Sequence, residues 1–184
     1  MQTLVSLMQS PTPVPIMAAS TAFFLALYLS FAVSVWLIAR RINRPIELRP
    51  LGARQIRTEI LNSLRSILLF GLGTSVAWVA YQAQWISIRT DAGVIQILLE
   101  MLLLILWNDL YFYAIHRVLH AKLNKAHLTH HRSATATPFT AYSMSSLEAL
   151  LLGAVLPTAM LLHDFSAAAG DLTAIAGQKP VFTK

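Results

Sequence analysis

The sequence predicts an all-α integral membrane bundle with a histidine-rich cap on the cytoplasmic side. Three observations lead there. Of the 184 residues, 56% are apolar and only 12% charged, too apolar for an ordinary soluble domain. The apolar residues gather into uncharged runs long enough to cross a bilayer. Five of the six histidines fall within 107–132, in two clusters whose spacing suits the faces of helices. At this length one domain is the default. The formal charge of +6 is concentrated, with seven of the fourteen basic residues between Arg40 and Arg65. Such a block can mark a nucleic-acid patch. Here it abuts a long apolar run, so it reads as a membrane-facing loop, and no nucleic-acid partner is expected. With no cysteine, the chain has no disulfides and no thiolate-bound metal, so any metal must use nitrogen and oxygen ligands.

Taken in order, residues 1–15 form an N-terminal lead-in segment, uncharged and expected to be irregular because of Pro11, Pro13 and Pro15. A secretory signal would want a basic start, and there is none. Residues 16–39 make the first span, ended sharply by Arg40, Arg41 and Arg44. The positive-inside bias puts that end in the cytoplasm. Residues 45–65 read as a basic, partly helical connector on the inner surface. Residues 66–88 make the second span, with Trp78, Tyr81 and Trp85 crowding its far end as an interfacial aromatic belt would. A tight turn at 89–93 then makes spans two and three an antiparallel hairpin. The third span covers 94–113 and continues into the histidines, since no Gly or Pro occurs between Val94 and Thr137. Counting spans returns the histidines to the cytoplasmic side, beside the basic connector.

Glu100 lies nine residues before Asp109, which at roughly 100° per residue puts the two on opposite helix faces. It is therefore expected to be a neutral or hydrogen-bonded structural glutamate, outside any metal stripe. The apolar segment 149–162 is short and interrupted by Gly153 and Pro157, so it is expected to be re-entrant, kinked or half of a hairpin. From 165 the chain turns to small and polar residues and reads as an atypical tail.

The histidines carry the chemistry. His116 and His120 are spaced i, i+4, and His127, His130 and His131 are spaced i, i+3, i+4. Neutral imidazole is the commonest transition-metal ligand, so two converging clusters point to a metal centre. Asp109, Tyr113, His116 and His120 form one helical stripe. A ligating histidine usually donates its other N–H to a carboxylate or similar group, a role Asp109 can fill, while Arg117 can neutralise or steer a neighbouring carboxylate. Along one straight helix the two clusters would be roughly 16 Å apart, too far for nitrogens that must approach a metal to about 2 Å. A bend is therefore expected within 121–126, near Asn124. A lone histidine at a membrane surface is unremarkable, and His163 is read that way.

The run D-L-Y-F-Y-A-I-H-R-V-L-H (109–120) resembles the first histidine box of the fatty acid hydroxylase/sterol desaturase superfamily, integral membrane enzymes with a non-haem di-iron centre. H-L-T-H-H (127–131) is similar to its second box. The resemblance covers 56–162, within a membrane hydroxylase-like domain of 16–164. It implies a helical anchor, a cytoplasmic cap holding two irons, and O2-dependent hydroxylation or desaturation of a C–H bond in a lipid or sterol. His116, His120, His127, His130 and His131 would ligate iron, with Asp109, Tyr113 and Arg117 behind them. Such relatives carry a third H-x-x-H-H box further on, and many place a histidine and proline before the acid corresponding to Glu148. Here Ser145 and Ser146 precede that acid and His163 is the only later histidine. The chain thus reads as the front half of such an enzyme.

Three readings follow. The first is a membrane oxidoreductase that draws electrons from an external donor, since no flavin or haem-attachment motif is present. The second is a truncated, catalytically silent membrane protein with residual metal binding. The third, a bis-histidine haem protein or metal carrier, ranks last because haem ligation favours single histidines on facing helices.

Overall fold

The computed structural model describes residues 2–42, 52–131 and 137–167, and of Gln2, Thr3, Ile42, Ala126 and Thr129–His131 the backbone alone. Among these residues there are seven helices and no strands: α1 (Gln2–Met8), α2 (Val14–Ile42), α3 (Ala53–Gln82), α4 (Val94–Lys122), α5 (Asn124–His131), α6 (Ser146–Gly153) and α7 (Val155–Met160). Helices α2, α3 and α4 are each long and apolar enough to cross a membrane, as an integral membrane bundle requires.

One element differs from the sequence expectation and another is more extensive than it. The lead-in segment is helical at its start, because its prolines all lie beyond Met8 and none interrupts α1. Leu4, Leu7 and Met8 then pack on Ala80 and Ile86 at the end of α3. The helix that carries the second span begins before Ser66, at Ala53, inside the connector expected to be partly helical. Beyond Gly52 nothing breaks the helix, and Arg, Gln, Leu and Ile are adequate helix formers. The described part of the basic connector is thus the first turns of α3 itself. The helix stops at Gln82, and Gln84 takes a positive φ of 61°, leaving Trp85 in the turn toward α4.

α2 packs along α3, and at Gly71 the two are in close contact. A Cβ at Gly71 would collide with Thr21 Oγ1 and lie 3.1 Å from the Met17 carbonyl oxygen, whereas one at Gly73 would meet nothing. Gly71→Ala is expected to cost about 2 kcal/mol by overpacking. Gly73→Ala should instead stabilise by roughly 0.5–1 kcal/mol, because alanine is the better helix former. Unfolding in detergent micelles checks the opposite signs.

The short helices α6 and α7 lie between α3 and α4. They run parallel to α3: Arg65 Nη2 donates to the Met144 carbonyl at 2.8 Å, Phe70 faces Gly153, and Met160 packs against the cluster that holds Ala80. They run antiparallel to α4, where Tyr111, Trp107, Leu104 and Glu100 meet Leu151, Val155, Ala159 and Ser166 in turn. The segment is kinked at Ala154, with Pro157 unable to donate back across the break. Carbonyls at the kink find donors on α4, one helical turn apart: Tyr111 Oη donates to Leu151 O at 2.8 Å and Trp107 Nε1 to Val155 O at 3.0 Å. Inside a bilayer such substitution is what makes a broken helix tolerable.

At the far end, Phe165, Ser166 and Ala167 are buried and close the α3–α4 turn. Arg89 N donates to Phe165 O at 3.3 Å and Ala167 N to Arg89 O at 2.9 Å. Glu100, expected as a hydrogen-bonded structural glutamate, is buried there. It pairs with Arg89 and accepts from Gln96 Nε2 at 3.1 Å and Ser166 N at 2.8 Å. His163 Nε2 stands 3.9 Å from it.

Candidate metal centre

α4 runs unbroken to Lys122. Leu123 then leaves helical geometry (φ −120°, ψ 29°), and α5 starts at Asn124, inside the interval where the length argument demands a bend. The turn folds α5 back on the end of α4, so that His127 meets His116 and His120. Ring centroids are 4.7 Å apart for His116 and His120, 4.7 Å for His116 and His127, and 4.5 Å for His120 and His127. One nitrogen from each lies within 4.8 Å of the other two, and the Nε2 atoms of His116 and His120 are 3.1 Å apart. Burial is graded: His127 is fully buried, His116 half-buried and His120 exposed. Phe112 stacks on the His116 ring at 5.4 Å.

Behind His127 stands Glu148, on the first turn of α6. Its Oε1 is 3.0 Å from His127 Nδ1, and both side chains are buried. A carboxylate there holds the ring proton on Nδ1, so the neutral imidazole turns Nε2 to a metal. Ser145 caps α6 by accepting from Glu148 N at 3.2 Å, which fixes the carboxylate in place. Burial pushes the Glu148 carboxyl up to about 7, with a hydrogen bond from the Ser145 backbone pulling the other way. Glu148 Oε2 is buried and has no hydrogen-bond partner.

These residues fit a divalent transition ion. Nitrogens bound to one ion at about 2 Å lie no more than about 4 Å apart, close to the spread seen. Imidazole and carboxylate suit iron, zinc or copper, and a cation would offset the buried charge of Glu148.

The other expected site residues are placed as follows. Tyr113 Oη accepts from Arg117 Nη1 at 2.9 Å, on the exposed side of α4. Asp109 is exposed and accepts from Asn108 Nδ2 at 3.5 Å. The carboxylate that meets the His127 ring is Glu148. His130 and His131 lie on α5, but their side chains fall outside the described residues. Sequence reasoning had Glu148 only as a counterpart of a family acid. The signal that could have assigned it is Ser145-x-x-Glu148, a helix-start pattern that fixes the glutamate on a first turn.

Comparison with known proteins gives one family, fatty acid hydroxylase, matched by residues 101–178. That stretch holds the whole triad and Glu148, and it runs past 165 into the segment read as an atypical tail. No curated protein and no solved structure matches the chain. Residues 101–178, which hold the histidines of α4 and α5, thus match the fatty acid hydroxylase family, the family of the membrane hydroxylase and desaturase superfamily.

Proposed function

We propose that the protein is a membrane-bound, O2-dependent oxidoreductase that hydroxylates or desaturates a C–H bond of a lipid or sterol. The observation that carries this reading is the convergence of His116, His120 and His127 on one point, with Glu148 behind His127. The family suggests a membrane lipid oxidoreductase. Iron is the metal proposed, since the family is known for using it. His130 and His131 are the proposed further ligands of a di-iron centre, and Asp109, Tyr113 and Arg117 are proposed as supporting groups on the same side of α4. Arg40 and Arg41 in the last turn of α2 argue that the site faces the cytoplasm.

Bound iron would supply the power to activate O2. The chain's own residues do the rest. His127, buried and oriented by Glu148, provides a fixed ligand direction. His120 and His116, less buried, leave the opposite side open. The apolar exposed residues of α4, Leu106, Leu110 and Phe112 among them, offer a surface along which an acyl chain or sterol can approach. Inserting one oxygen atom of O2 into C–H while the other leaves as water takes two electrons and two protons. The electrons come from an external donor.

The test is metal analysis with Mössbauer and EPR spectra on the full chain in detergent, followed by turnover of labelled lipids with a reducing system. A coupled di-iron signal and oxidised product support the proposal. One iron per chain with no product supports metal retention without catalysis, and a Soret band would point to haem.

A further inference from the structure

Glu59 has no part in the triad, yet it is among the most buried side chains of the protein, at 1% exposure. It sits on α3, in the part that precedes the apolar run. A buried carboxylate is costly unless its oxygens are taken up. Both are: Oε1 accepts from Gln55 Nε2 at 2.9 Å, one turn back, and Oε2 accepts from Thr137 Oγ1 at 2.5 Å. Thr137 follows α5 in the chain and begins the irregular stretch 137–145, which ends at the cap of Glu148.

That stretch is held by side chains reaching out from the long helices, not by regular structure of its own. Thr137 Oγ1 accepts from Phe139 N at 3.1 Å, and Thr137 N donates to Thr140 Oγ1 at 2.8 Å, forming a closed turn. The Phe139 carbonyl accepts from Ser63 Oγ at 3.1 Å and Tyr28 Oη at 3.2 Å, and Arg65 holds Met144 O. Helix α5, at eight residues, is far too short to be stable alone. Its position depends on what it packs against: the end of α4 at Leu123, and α6, where Glu148 meets His127 and which the stretch from Thr137 to Ser145 leads into.

We propose that Glu59 is a positioning residue for the metal centre. It acts as a clasp that pins Thr137 to α3 and so sets where α5 presents His127 and where α6 presents Glu148. This inference rests on the metal-binding reading above. The clasp needs a shaped acceptor rather than a charge. Thr137 Oγ1 already accepts from Phe139 N, so its hydroxyl proton goes to residue 59. A glutamine can accept that proton through Oε1 while its amide faces Gln55, whose own amide flips to accept.

The experiment titrates cobalt(II), as a spectroscopic probe, into the full-length protein in detergent and follows the visible absorption of bound cobalt. Glu59→Ala and Thr137→Val are expected to weaken cobalt affinity by about tenfold or more, the lower end of what loss of an outer supporting group costs. Their spectra should shift, because His127 is displaced. Glu59→Gln should stay within about threefold of the parent with an unchanged spectrum. Should Glu59→Ala lose its helical circular dichroism, Thr137→Val decides, since it removes only the hydroxyl. Cobalt binding by Thr137→Val with parental affinity and spectrum would overturn the inference, as would a Glu59→Gln variant as impaired as Glu59→Ala. If the parent protein binds no cobalt, it is the metal-binding reading that fails.

Discussion

Replacing His127 with alanine is expected to abolish metal binding, with a loss larger than the 10–100-fold that removing an outer supporting group typically causes. Of the three imidazoles it is the one wholly inside the protein and the one with a carboxylate behind it. Removing it takes away a ligand and also leaves Glu148 Oε1 without its partner, beside an Oε2 that already has none. A buried group stranded in this way costs about 1–3 kcal/mol, and more when charged, so a fall in stability should accompany the loss of metal. Glu148→Gln separates the two effects. It keeps the shape and can still accept from Nδ1, so the ring stays oriented but its basicity falls. Affinity should then drop by only about tenfold, with little change in stability. His120→Ala, at an exposed position, should weaken binding without destabilising the fold. Isothermal titration and unfolding in the same detergent measure both quantities. Equal metal affinity in the His127→Ala variant and the parent protein would remove the basis for placing the centre here.

Much of this centre was legible in the sequence because it depends on local spacing. The positions of His116 and His120 on one helix follow from their separation. The break before Asn124 follows from the length that an unbroken helix would put between the clusters. Glu100 was separable from the stripe by phase alone. What was hidden depends on long-range packing. Glu148 reaches His127 only because α6 lies against the end of α4, and the apolar run of 149–162 does not reveal which helices it will separate. The start of α3 was left open for a different reason. Charge marked 45–65 as a partly helical connector with no stated start to its helix, while the backbone from Ala53 onward had no reason to leave the helix. Helical propensity and membrane location are separate properties, and the basic residues reported only the second.

At the opposite end of the bundle, Arg89→Met is expected to destabilise the fold by about 3 kcal/mol, the lower end of the range for removing one partner of a buried ion pair. The lower end applies because the Arg89 side chain is 38% exposed while that of Glu100 is 4% exposed. The carboxylate would be left in the interior without its guanidinium, facing Gln96 Nε2, Ser166 and, at 3.9 Å, His163 Nε2. Adding Glu100→Gln should recover most of the loss. The amide still accepts from Ser166 N, and no uncompensated charge remains, in keeping with the near-neutral cost of replacing both members of a buried pair. A double-mutant cycle measures this as strong coupling, and simple additivity would show that the pair does not act as argued. Metal affinity gives the control. Glu100 and His116 lie on one unbroken helix, about 24 Å apart at its rise per residue, so the single and double variants should bind metal like the parent while folded. The two ends of α4 would then be energetically separate: one closes the bundle through Ser166, and the other presents histidines to α5.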